Sequence, residues 1–401
     1  MPETLLACLH GDDGADRCPD WRAVVILATE QRVAALLLER LESAGRSRLL
    51  PPGIRAELTA RGMAIAAANL HYLVDLGQVL SALSAVGVPA VVLKGAHLAR
   101  SVYPNPALRE MNDVDLLIRL ADAARATRAL QALGYDFVAR CEPDKGLVGT
   151  HHFPRLVKAG AAPLELHVTL TPAEFGLAID TEGLWQRAIP LSPDSRHATL
   201  CPEDLLLHIC VHSAYSHAAE FGLRPLCDVD QIVRAFPALD WDAVCRRATT
   251  WKTARGTFLT LHLAAECLGT HVPFETMSAL RPADFDSHLA ALVRTHLFTR
   301  KTLSVAVPID ATRAYASRSL VELMRQTYRK VFVSRAELVA QFPEARASRV
   351  PALFYARRAL SLARRHLWLP MAMTTRRDQE LIAMVDRRSA ILRWLDAERT
   401  A

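Results

Sequence analysis

Residues 88–119, VPAVVLKGAHLARSVYPNPALREMNDVDLLIR, constrain the fold more than any other stretch, because the hydrophobic period changes there and two acids sit inside apolar sequence. Ala90–Leu93 is a short apolar run that suits a buried strand. Lys94-Gly95 follows it and opens a brief helix through Leu98 to Tyr103, and Pro104-Asn105-Pro106 makes a turn. Asp113–Arg119 reads as a second strand, and Leu120–Leu133 as a helix ending at Gly134. On a strand, residues i and i+2 project to one face, so Asp113 and Asp115 lie side by side with Val114 turned into the core. Carboxylates crowded this way repel, and the arrangement is stable only with a raised pKa or with a cation bound. Mg²⁺ held by carboxylates and substrate phosphates supplies that cation.

The flanks define the fold class. Residues 20–87 read as helical, the last helix carrying Leu73, Leu76, Leu80 and Leu83 on one stripe before Gly87 and Pro89 stop it. After the Asp-x-Asp strand, HHFPRLVKAGAAPLELHVTL gives two alternating stretches around Lys158-Ala159-Gly160-Ala161, the pattern of a β-hairpin. From Pro202 onward apolar positions recur at spacings of three and four. The expected class is α+β: a mixed β-sheet core flanked by helices, with a large all-helical C-terminal region. The expected partition is a helical region over 1–87, an α/β core over 88–190, a helical acceptor or cap domain over 203–310, and a basic helical tail over 311–401. The boundary is placed in the Pro- and Ser-rich stretch 190–202.

Charge is uneven. Residues 311–401 hold 18 Lys+Arg against 8 Asp+Glu, which is +10, leaving −4 for residues 1–310 of a chain with net charge +6. The arginines come as dispersed pairs at helix-compatible spacing, so a solvated helical face accounts for the tail at least as well as a polyanionic partner. Aromatic and basic residues do not interleave as single-stranded nucleic-acid binders require, so nucleic acid is not the favoured partner. No uninterrupted apolar run is long enough to span a bilayer, and the N-terminus lacks a basic segment followed by an apolar core, so no membrane partner and a cytoplasmic location are expected. The eight cysteines include no Cys-x-x-Cys pair and read as reduced, mostly buried residues.

Other residues add to the acidic pair. Glu165 lies on the predicted hairpin strand and suits a third carboxylate, as base or metal ligand, with His167 on the same face. Backbone N–H groups at Lys94-Gly95 can meet phosphate, Gly95 allows close approach, and Lys94 can neutralise a triphosphate. Arg109 either contacts phosphate or pairs with Glu110. Asp228 and Asp230 also form an Asp-x-Asp, but inside a helical pattern, where i and i+2 diverge by about 200°. They cannot share an ion. His208 and His212 stand one helical turn apart, a zinc-compatible spacing, although no third ligand is evident unless His217 bends in. His151-His152 precede the hairpin, within reach of nucleotide or acceptor.

As a joint pattern, VVLKGAHLARSVYPNPALREMNDVDLLIR, HHFPRL, LELH and EDLLLHICVHSAY…LCDVDQIV resemble the uncharacterised nucleotidyltransferase family of the DNA polymerase beta-like nucleotidyltransferase superfamily, over about residues 20–240. In that superfamily a Gly-containing strand–helix turn precedes an Asp-x-Asp strand, and a later strand supplies a third acid. The chain departs from the commonest signature, because Ala96 rather than Gly or Ser follows Gly95 and seventeen residues separate Gly95 from Asp113. The resemblance implies Mg²⁺- (or Mn²⁺-) dependent transfer of a nucleoside monophosphate from a nucleoside triphosphate to a hydroxyl of a small metabolite or peptide, with pyrophosphate released. Asp113, Asp115 and Glu165 would hold the metal and do the chemistry. Lys94, Gly95, Arg109, His152 and His167 would bind the nucleotide, and His212 and Asp228 would line an acceptor pocket. Two alternatives stand beside this: phosphoryl or sugar-phosphate transfer to a peptide, and nucleotide binding for regulation without transfer.

Overall fold

The structure, a computed structural model, describes residues 1–11, 20–138, 151–220, 222–299, 350–366 and 379–400, with isolated positions between (16, 18, 143, 312, 328, 331–333, 335, 338–339, 342–346). Two compact units divide the chain between Phe285 and Asp286.

The first unit begins with helices α1 (Pro2–His10), α2 (Trp21–Glu30), α3 (Ala34–Ser43) and α4 (Pro52–Ala85). The sheet region follows as β1 (Val91–Val92), α5 (Lys94–Ser101), β2 (Val114–Leu117), α6 (Ala123–Ala132), β3 (Asp136–Phe137), β4 (Leu156–Val157), β5 (Leu164–His167), α7 (Thr181–Arg187), β6 (Ile189–Pro190) and β7 (Ala198–Thr199). Helices α8 (Pro202–Val211), α9 (Arg224–Ala235), α10 (Trp241–Thr250), α11 (Ala254–Leu268) and α12 (Phe274–Leu280) complete it. The fold is α+β, with one mixed sheet of order β3-β4-β5-β2-β1-β7-β6. β2 pairs parallel with β5 and antiparallel with β1.

The predicted hairpin forms between β4 and β5, with Gly160 at φ 72° in the turn. That left-handed conformation is why glycine stands there. The leucine stripe on α4 also holds: Leu76, Leu80 and Leu83 pack with Val92, Val114, Leu116 and Leu166 in one core, so the sheet face opposite the acids is apolar. The stretch 190–202, where the sequence places a boundary, carries two short strands. Pro190 belongs to β6, and β7 pairs parallel with β1, so these residues extend the sheet.

By length and composition α4 is long and apolar enough to cross a bilayer. It also carries two buried polar residues with specific work inside this unit. Asn69 donates to the carbonyls of Pro106 (2.6 Å) and Arg109 (2.7 Å), and Asp75 accepts from Ala162 N–H at 2.9 Å. A bilayer would leave such groups unsatisfied at high cost.

The second unit contains α13 (Ser287–Leu297), α14 (Pro351–His366) and α15 (Gln379–Thr400) among its described residues. In α15 the pair Arg387-Arg388 is not wholly solvated: Arg388 is buried and donates to Thr312 Oγ1 at 3.0 Å. The Arg376-Arg377 pair lies outside the described residues. The seven described cysteines are free thiols, five of them buried, whereas Cys141 lies outside the described residues.

Candidate active site

The end of β1 creates the site. Leu93 N–H donates to the Asp115 carbonyl at 3.0 Å, so the chain leaves the strand beside Asp115 and turns at Lys94. Lys94 has φ 39°, a left-handed conformation that is uncommon for a residue with a side chain and concentrates at functional sites. Its Nζ lies 3.0 Å from Asp115 Oδ1. Across the sheet, the parallel register pairs Asp115 with Glu165. Asp113 precedes β2 by one residue, and Asp113, Asp115 and Glu165 all line one cavity of about 460 Å³. Arg155, just before β4, links the outer two, with Nη2 at 2.8 Å from Glu165 Oε1 and 3.6 Å from Asp113 Oδ2.

These carboxylates are tuned differently. Burial opposes ionisation of Asp115, but the Lys94 ammonium and the contact from His167 overcome it and hold its carboxyl well below the usual range. Glu165 is held down to about 2 by the nearby His167 imidazole and by the hydrogen bonds from Arg155, against burial and the Asp115 charge. Asp113 shifts the other way: burial and then the charges of Asp115 and Glu165 raise it, with Lys94 and Arg155 opposing. Thus two acids are fixed as anions, and the third feels the crowding that the Asp-x-Asp spacing implies.

His167 is set back from the cavity wall. It is 1% exposed, with Nε2 at 2.8 Å from Asp115 Oδ1 and 3.7 Å from Glu165 Oε2, while its buried Nδ1 has no hydrogen-bond partner. His167, expected to contact nucleotide, is not among the residues that line the cavity and stands behind the acids, against Asp115 and Glu165. His152 does line the cavity, bridging to His167 across the sheet, and its Nδ1 lies 2.8 Å from the Phe153 carbonyl. Its neighbour His151 is lowered to about 3 by burial and by the adjacent His167 and His152, so it faces the cavity neutral.

Asp115, Glu165 and His167 can each offer a ligand atom, and these atoms lie within 4.8 Å of one another. Two hard carboxylates, with Asp113 on the same wall, suit Mg²⁺ or Mn²⁺. The residues therefore fit a divalent ion. Among the described residues the histidines of the helical segment do not make a comparable group. His212 and His217 approach to 4.8 Å between ring centroids and His208 stands 6.3 Å from His212. His208 is buried behind them, and burial holds its ring neutral.

The second wall is built around Asp228. Arg109 donates to it twice, Nε to Oδ1 at 2.8 Å and Nη2 to Oδ2 at 2.9 Å, and Tyr103 Oη donates at 2.8 Å. Arg109 thus pairs with Asp228 rather than with the Glu110 side chain; its Nη1 donates to the Glu110 carbonyl at 2.7 Å. Asn69 holds the same loop through the Arg109 carbonyl and the Met111 N–H, and Met111 lines the cavity beside Gly95. Asp230, two residues on, binds Arg40, Arg234 and Thr270 instead, so the helical Asp-x-Asp diverges as its period requires. His212 reaches the cavity from a π-type turn over His212–Ser216 that ends α8, a feature frequent at functional sites.

The sequence alone does not single out Arg155, Arg32 or Arg224, all of which line the cavity, as does His217. Arg155 stands in the first stretch of the expected hairpin, and its spacing from Glu165 across the turn was the available signal. No curated protein and no solved structure matches the chain. A family model described as "uncharacterised nucleotidyltransferase" does, over residues 17–269, which spans both walls of the cavity. The chain belongs to that uncharacterised nucleotidyltransferase family, and is an enzyme of nucleotidyl transfer.

Proposed function

We propose that the protein transfers a nucleoside monophosphate from a nucleoside triphosphate to a hydroxyl group of a small metabolite or peptide, with pyrophosphate leaving. The observation that carries this reading is the convergence of Asp113, Asp115 and Glu165 on one cavity, with Asp115 and Glu165 in register on adjacent parallel strands. Asp115 and Glu165 are the residues that would hold Mg²⁺ or Mn²⁺, and Asp113 completes the carboxylate set. Such an ion, when bound, supplies charge neutralisation at the α-phosphate and on the departing pyrophosphate.

The chain's own residues do the rest. The Lys94-Gly95 turn presents backbone and an ammonium to the phosphates, and Gly95 keeps that approach open. His167 and Arg155 hold the acids in place. The acceptor hydroxyl attacks the α-phosphorus, the bond from that phosphorus to the bridging oxygen breaks, and the hydroxyl proton passes to a carboxylate of the set. Glu165 is our assignment for that proton as well as for the metal, which requires Arg155 to release Oε1 as substrate enters. Parallel incubations with α-labelled and γ-labelled triphosphates, Mg²⁺ and a cell extract test the reading. Label from the α position should enter product in the wild type and not in Asp115→Asn. Label from the γ position alone would mean phosphoryl transfer and overturn it.

A further inference from the structure

We infer that the end of the cavity formed by Arg32 and Arg224 is a built anion subsite that receives a phosphate or carboxylate group of a substrate. The inference concerns the same cavity as the proposed nucleotidyl transfer and rests on that reading only for which substrate brings the anion.

Arg32, Arg109 and Arg224 all line the cavity together with Asp228, and Arg224 feels the charges of the other three. Arg109 is already committed to Asp228 through two hydrogen bonds. Arg32 and Arg224 bring two further positive charges to the cavity; they are remote in sequence and come from opposite ends of two helices, Arg32 following α2 and Arg224 opening α9.

Their approach is enforced by the backbone. Gln31, 3% exposed, accepts from Leu223 N–H through Oε1 at 2.9 Å. That amide oxygen lies 1.7 Å from where a Cβ on Gly222 would stand, and Gly222 has φ 69°, so only glycine permits the contact. The residues next to this clamp, Arg32 and Arg224, are thereby held together.

Arg32 is itself in the left-handed region, φ 58°, in the turn after α2 where glycine is the usual occupant. A side chain there costs free energy and persists where surrounding structure or function requires it. Arg224 is lowered to about 9 by burial and then by Arg109 and Arg32, with Asp228 and Glu110 opposing. The guanidinium stays protonated at neutral pH, in a position where an added anion relieves both like-charge repulsion and desolvation. The N-terminus of α9 has no side-chain cap, which adds to the preference for negative charge.

The test is calorimetric titration with inorganic pyrophosphate in EDTA, which removes any divalent ion from the question. Wild type should bind pyrophosphate, and Arg224→Gln and Arg32→Gly should each weaken it at least tenfold. Exposed Arg100→Gln should leave it within twofold. Arg32→Gly separates binding from folding, because glycine fits φ 58° and should hold or raise the melting temperature. A wild type that fails to bind millimolar pyrophosphate, or variants that bind within twofold of it, would overturn the subsite.

Repeating the titration with each nucleoside triphosphate and Mg²⁺ identifies the source. Weakening by Arg224→Gln assigns the subsite to the donor's phosphate tail; unchanged triphosphate affinity with lost pyrophosphate binding assigns it to an anionic acceptor. Asp115→Asn should keep metal-free pyrophosphate binding. If that variant also kept Mg²⁺-dependent triphosphate binding, the metal reading would fail while the subsite stood.

Discussion

Two aspartates that look equivalent in the sequence should respond to the same substitution in opposite directions. Asp115 is 3% exposed, and its Oδ1 is shared by Lys94 Nζ at 3.0 Å and His167 Nε2 at 2.8 Å. Asp115→Asn keeps the shape and removes the charge, which leaves the Lys94 ammonium without its carboxylate. Breaking a buried pair from one side costs about 3–5 kcal/mol. Lys94 lines the cavity and the amide oxygen keeps one hydrogen bond, so the lower end, about 3 kcal/mol, applies. In a unit of this size that lowers the melting temperature by roughly 6–12 °C.

For Asp113 the sign reverses. A carboxyl raised above its ordinary 3.8 binds its proton more tightly in the folded state than in the unfolded. Its charge therefore destabilises the fold at neutral pH, and the penalty disappears as pH falls below that ordinary value. Asp113→Asn should melt at or above the wild-type temperature at neutral pH, with any advantage gone in acid. Circular-dichroism melts in metal-free buffer over a pH series decide it. Equal losses in both variants would refute the charge layout described for the site.

Further outcomes can be checked directly. Asp228→Ala strands the buried Arg109 guanidinium and removes the Tyr103 partner, so denaturant unfolding should show a loss of about 3–5 kcal/mol; replacing both members, Arg109→Met with Asp228→Leu, should recover much of it. Gly95→Ala meets only ordinary contacts within the protein, Met111 Cγ at 3.4 Å and Arg109 Nη1 at 3.5 Å, so the melt should be unchanged. The added methyl stands where phosphate is expected, and triphosphate affinity by calorimetry should fall about tenfold, near 1.4 kcal/mol. An unaltered affinity would remove Gly95 from the phosphate site.

What could be read from the sequence followed the reach of local rules. The Asp-x-Asp strand was legible because side-chain alternation has a period of two, and the hairpin because Lys158–Ala161 supplies turn chemistry between alternating runs. The helical period, under which i and i+2 diverge, dismissed Asp228 and Asp230 as a shared metal pair. The short β6 and β7 were hidden, because Pro190 and the serines that follow look like a linker and strand pairing with β1 is a tertiary fact. The partner of Arg109 was hidden for the same reason: Asp228 lies far along the chain, while Glu110 is adjacent. Arg32 and Arg224 carry no motif, and only the Gln31–Leu223 clamp brings them together.

The most direct test of the account is the binding of Mn²⁺, followed by electron paramagnetic resonance, in the presence of a nucleoside triphosphate. We predict an ion bound by the wild-type protein, with affinity reduced at least tenfold in Asp115→Asn and in Glu165→Gln. Wild-type affinity in both variants would contradict it, because the paired strands would then display acids that hold no metal.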